Sequence, residues 1–131
     1  MSGTSLASSR YVSLTTFRRS GDPVATPVWV APDPGGDPDR MVVWTRDQTG
    51  KVKRLRHTER VTVTPCDARG HIAPDAVTVE GRAQIVGPGA PLEPVRRAMR
   101  AKYGWQFRLV EGFGRLLRRR HPPYVGISIT V

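Results

Sequence analysis

The chain is poor in the residues and runs that mark several common classes of protein. Cys66 is the sole cysteine among 131 residues, which excludes an internal disulfide and a thiolate cluster around zinc. The three histidines, His57, His71 and His121, stand apart with no metal-ligand spacing between them, so no metal site is expected. No apolar run approaches the roughly 18 residues of a membrane-spanning helix, and no membrane span is expected. Residues 1–9 (MSGTSLASS) have neither a basic n-region nor an apolar h-region and do not read as a secretory signal. They read as a frayed lead to a single domain over 10–131, in a cytoplasmic setting.

Acidic residues are also scarce. Against 21 Lys and Arg there are 11 Asp and Glu, a formal charge of +10. Such an excess attracts nucleic acid, anionic lipid or a multiply charged small molecule. A GC-rich genome, whose codons favour Arg, Pro and Gly, accounts for it equally well.

What is present is mostly strand. Tyr11 to Phe17, Val24 to Ala31, Met41 to Thr45, Arg60 to Pro65, Val77 to Val86 and Tyr124 to Val131 alternate or are rich in β-formers. Pro27 interrupts the second of these and marks an edge, a bulge or a place where a ligand replaces the neighbouring strand. Gly81 reads as a bulge in the fifth. Pro32 to Asp39 (PDPGGDPD) is a loop. Gly50 to Thr58 is expected to be a short helix, with Val52 and Leu55 on its apolar side and basic residues elsewhere. Pro91 to Tyr103 is a second helix, on Leu92, Val95, Met99 and Tyr103, and Trp105 to Arg119 continues as an irregular helical piece. Six strands and a late helix predict a mainly β fold, a closed or nearly closed barrel.

The segment Thr45-Arg46-Asp47-Gln48-Thr49-Gly50-Lys51-Val52-Lys53-Arg54 carries the clearest chemistry. A strand ends, a hydroxyl-bearing turn follows, and a basic helix begins. Exposed N–H groups and the positive end of the helix favour an anion there. Lys51 and Arg54, three apart, share a face; Lys53 points elsewhere. On periodicity alone a solvated basic helix describes the segment as well.

The strings Tyr11–Phe17 (YVSLTTF), the Gly21 turn, Val24–Trp29 (VATPVW), Val43–Thr45 (VWT), Gly50–Arg54 (GKVKR) and Val61–Asp67 (VTVTPCD) occur in one order. Together they resemble the pyridoxamine-phosphate-oxidase-like superfamily, in its deazaflavin-dependent branch common in actinobacteria. The likeness covers about residues 10 to 86, with an echo in the last strand. It implies a six-stranded split β-barrel with one or two helices, acting as a homodimer with cofactor sites at the subunit interface. It also implies an oxidoreductase that takes coenzyme F420 and passes hydride to a small electron-poor substrate. Carried over by position, Thr45, Lys51 and Arg54, then Thr49, Gly50 and Lys53, would hold the phosphate and acidic tail. Thr26, Pro27, Val28 and Trp29 would run beside the tricyclic ring, and Pro65 and Cys66 would form another wall. Flavin mononucleotide (FMN) is the alternative cofactor. Relatives that bind it usually carry an Arg on the second strand, where this chain has Ala25-Thr26-Pro27-Val28-Trp29.

No catalytic side chain is assigned, since the cofactor carries the chemistry; a proton would come from solvent or from a hydroxyl such as that of Thr26. Cys66 reads as a small filler at a strand end, and the histidines as surface residues. Trp29 and Trp44 read as core residues on their own periodicity, and Tyr103 and Trp105 as packing residues after the late helix. The basic run at 115–121, with Arg96, Arg97, Arg100 and Lys102, raises a nucleic-acid alternative. Aromatic residues are not interleaved with it, and nucleic acid is not an expected partner. A carrier of deazaflavin, flavin or haem without efficient turnover is the other alternative.

Overall fold

The computed structural model describes residues 6–46, 49–109 and 124–131. Its strands are β1 (Tyr11–Phe17), β2 (Pro23–Pro32), β3 (Arg40–Arg46), β4 (Arg60–Cys66), β5 (Val79–Val86) and β6 (Tyr124–Thr130). Helix α1 (Gly50–His57) joins β3 to β4. Helix α2 (Glu93–Tyr103) follows β5 through a single 3-10 turn, Ala90–Leu92, and helical backbone resumes at 105–109. The helical reading of 110–119 and the basic run at 115–121 lie outside the described residues. The strands close into an antiparallel barrel in the order β1-β2-β3-β6-β5-β4.

Alternation decides which side chains fill the barrel. Val12 and Leu14 of β1, Val28 and Val30 of β2, Met41 and Val43 of β3, and Ile127 and Ile129 of β6 all point inward and form one cluster. Helix α1 turns Leu55 into this cluster and buries Val52 beside it, as their spacing predicts. Residues 6–9, read from sequence as part of a frayed lead, are docked. Leu6 and Ala7 are buried in the same interior, and the Lys102 ammonium donates to the carbonyls of Ala7 and Ser9.

A second apolar layer lies outside the barrel. Val95, Met99 and Tyr103 of α2, with Leu92 before it and Phe107 after it, cover Ala31, Val42 and Trp44. Each such side chain, fully buried, contributes about 1.5–3 kcal/mol. The close approach depends on Gly126: a Cβ there would stand 3.0 Å from a Val95 methyl. Gly81 corrects an expectation. It pairs in register with Val61, without a bulge. A Cβ at that position would meet the Thr130 carbonyl oxygen at 2.7 Å, so glycine is needed where β5 passes the end of β6.

Candidate functional site

The barrel is uneven at one seam. Strand β3 pairs with β6 along seven residues but with β2 at only three, Val30↔Val43, Ala31↔Val42 and Pro32↔Met41. Among the described residues, β2 from Pro23 to Trp29 pairs with β1 alone. The Val30 N–H donates to the Tyr103 hydroxyl, which in turn donates to Arg10 on the β1 side. N–H groups alternate sides along a strand, so those of odd-numbered positions face the open flank. Pro23 and Pro27 fall at such positions and bring no N–H. Carbonyls therefore outnumber donors on the flank, and Pro27 breaks no ladder bond by sitting there.

Near this seam the Thr26 hydroxyl and the Trp44 indole N–H are buried and have no hydrogen-bond partner among the described residues. Thr26 is on the inward-facing side of β2, two residues before Val28. Thr45, on the inward side of β3, is 7% exposed. Val28 belongs to the barrel interior. Trp29 faces outward and stacks on Tyr103 at 4.5 Å between ring centroids. Phe107, in the outer layer, contacts both tryptophans, with ring centroids 6.5 Å from Trp29 and 5.0 Å from Trp44.

The start of α1 lies against the same part of the barrel. The Arg54 Nε donates to the Thr16 hydroxyl at 2.6 Å, and Thr16 is the cross-strand partner of Val24 at the beginning of the open flank. The Arg54 guanidinium also folds over the first helical turn, 2.7 Å from where a Cβ on Gly50 would be. Thr49 is the N-cap, yet its hydroxyl donates back to the Arg46 carbonyl and caps no helical N–H. The helix start is thus left with free donors and no acidic residue in its first turn. Burial first, and the neighbouring Arg54 second, hold the Lys51 ammonium below its ordinary value. Burial and then Arg18 do the same to Arg54. Among the described residues no carboxylate forms an ion pair with any of these three cations. Cations drawn together without a counter-charge are arranged for an anion.

Thr49, Gly50, Lys51 and Arg54 thus share the start of α1 beside Thr16, with Thr45 shortly before them at the end of β3 and Thr26 two residues along β2 from the Thr16 partner Val24. Lys53 is exposed. Pro65 and Cys66 pair with Val12 and Tyr11, so β1 separates them from β2 and its open flank. Burial and then Asp67 push the Cys66 thiol up, which keeps it protonated at neutral pH. Among the described residues no three His, Cys, Asp or Glu side chains gather to hold a metal ion. Thr16 and Arg18 join this cluster without having been read from the sequence; Thr16 is buried on β1 and Arg18 follows the strand's end. Tyr103 left no comparable signal, because its partners Arg10 and Val30 lie 93 and 73 residues away.

These residues fit a flat cofactor with an anionic tail. The flank of β2 offers backbone groups for a ring edge, the Thr26 hydroxyl lacks a partner, and the cations wait at one end.

A six-stranded antiparallel barrel opened along one seam is a split β-barrel. The chain belongs to the pyridoxamine 5'-phosphate oxidase family, which it matches over residues 4–131. Among solved structures it is similar to a conserved hypothetical protein from Mycobacterium tuberculosis, at 24% identity and TM-score 0.68, covering 96% of this chain and 75% of that one. It is also similar to an F420 reductase, at 18% identity and TM-score 0.59, covering 96% and 90%. HutZ, the heme storage protein from Vibrio cholerae, matches at 12% identity and TM-score 0.66, covering 92% and 80%. At these identities the likeness is one of fold. A search of curated proteins finds no match.

Proposed function

We propose that the protein binds reduced coenzyme F420 along the open flank of β2 and serves hydride transfer to a small electron-poor organic substrate, as a cytoplasmic homodimer. The observation that supports this best is the cluster of Lys51, Arg54 and Arg18 at an uncapped helix start, with no carboxylate paired to it among the described residues. A phosphodiester with a glutamyl tail carries the several negative charges such a cluster attracts, and Thr45 and Thr49 add hydroxyls beside it. When bound, the deazaflavin supplies a hydride from its ring carbon. The protein's part is to orient the ring against Thr26–Trp29, anchor the tail and exclude water.

A titration with coenzyme F420 and, separately, with FMN tests the reading, followed by cofactor fluorescence. Tight F420 binding with weak FMN binding is expected, and the reverse preference would make the protein flavin-dependent. Lys51→Ala should weaken F420 binding about tenfold at low salt, with the difference shrinking as salt rises. Unchanged affinity would remove Lys51 from the site. Haem or flavin storage in the same fold is the competing reading, kept in view by the likeness to HutZ. Steady-state turnover of F420H2 with candidate acceptors separates the two.

A further inference from the structure

The seam opens at Val30, and that residue is held from outside the barrel. The ladder between β1 and β2 ends at Tyr11↔Trp29. One step further, where Arg10 and Val30 would pair, the Tyr103 hydroxyl takes the place of the direct bond. It accepts from the Val30 N–H at 3.0 Å and lies 2.7 Å from the Arg10 carbonyl and 2.8 Å from the Val30 carbonyl. Lys102, the preceding residue of α2, donates to the Val30 carbonyl at 2.6 Å. The Tyr103 ring meanwhile lies nearly parallel to the Trp29 indole, at 11°. One side chain therefore fixes both the last residue that β2 shares with β3 and the first one beyond it.

We infer that Tyr103 is a positioning residue for the cofactor ring: by bridging Arg10 and Val30 and stacking on Trp29, it sets where β2 leaves β3 and how its open flank is presented. This rests on the reading that the ring lies along Thr26–Trp29. It predicts a division of labour in which Tyr103 governs the ring and the cations of α1 govern the tail. Tyr103→Phe keeps the stack and removes the bridge, leaving the Val30 N–H and the Arg10 carbonyl without their shared partner. Tyr103→Leu removes both.

The test uses three ligands: F420, its deazaflavin head group without the phosphate tail, and inorganic phosphate. Tyr103→Phe should weaken the head group and F420 by the same factor, roughly tenfold, the scale of one buried hydrogen bond lost. Phosphate binding and the salt dependence of F420 binding should not change. Equal loss for phosphate, or none for the head group, would overturn the inference. A ligand-free arm keeps the test decisive if the wild-type protein binds no deazaflavin. Amide hydrogen exchange in Tyr103→Phe should quicken at Val24–Trp29 while β5 and β6 stay protected. Uniform quickening would mean that Tyr103 only adds stability, and no quickening that it does not hold the seam; either overturns the inference. If Tyr103→Leu does not fold, Tyr103→Phe alone decides.

Discussion

The two flanks of β3 differ sharply. Toward β6 it is laddered over its whole length; toward β2 it is paired over three residues and then diverges. On the first flank the inward side chains are aliphatic, with Ile127 and Ile129 fully buried. Along the second, buried polar atoms lack partners and prolines replace donors. A barrel can thus be closed in topology and still keep one seam whose local free energy is spent less on folding than on leaving groups available. Burying an unsatisfied hydroxyl costs about 1–3 kcal/mol, and the well-packed flank is what allows the fold to carry that cost.

The largest expected effect lies on the packed flank. Ile127→Ala should lower unfolding stability by about 2–5 kcal/mol, read from the denaturant midpoint. A loss below 1 kcal/mol would mean that this flank is no better packed than the seam. At the seam the sign should reverse. Thr26→Val, which removes a hydroxyl without a partner and keeps the shape, should raise stability by about 1 kcal/mol. Destabilisation would show that the hydroxyl is satisfied in solution.

At neutral pH the smallest effect lies at the fork, where a pH dependence emerges only in alkali. Burial is the main cause that raises the Tyr103 phenol to about 12, from an ordinary 10. The fold therefore favours its neutral form. Stability from this group is complete below pH 10 and drains away as the pH climbs toward 12. Tyr103→Phe should lack this component in an alkaline unfolding series compared with wild type. Parallel curves would mean that the phenol is not held by the fold.

Much of this architecture was legible in the residues. The alternation of Tyr11–Phe17 and Arg60–Pro65 reports one face buried and one facing out, and Val52 with Leu55 reports a helix with a narrow apolar side. The contrast between Lys51 and Lys53 was legible too, because a helical period sends them to different sides. What was not legible depends on contacts distant in sequence. Gly81 looks like a bulge until the end of β6 is placed beside it. Leu6 looks like part of a polar lead because a lone apolar residue carries no period. That β2 meets β3 only from Val30 onward follows from pairing register, which no local pattern encodes; only Pro27 hinted at it. The candidate site residues on β2 and α1 were proposed largely through ordered likeness to a family, as were Pro65 and Cys66. The latter two lie near Trp29 in sheet register but on the other side of β1.

The open flank of β2 has one more consequence. A row of free N–H and C=O groups invites a strand from another molecule to zip along it, the first step of edge-to-edge aggregation. Pro23 and Pro27 remove alternate donors from that row, so an intruding strand would find carbonyls with too few N–H groups between them. The feature that leaves room for a flat ligand thereby also guards the molecule against pairing with the wrong copy of itself.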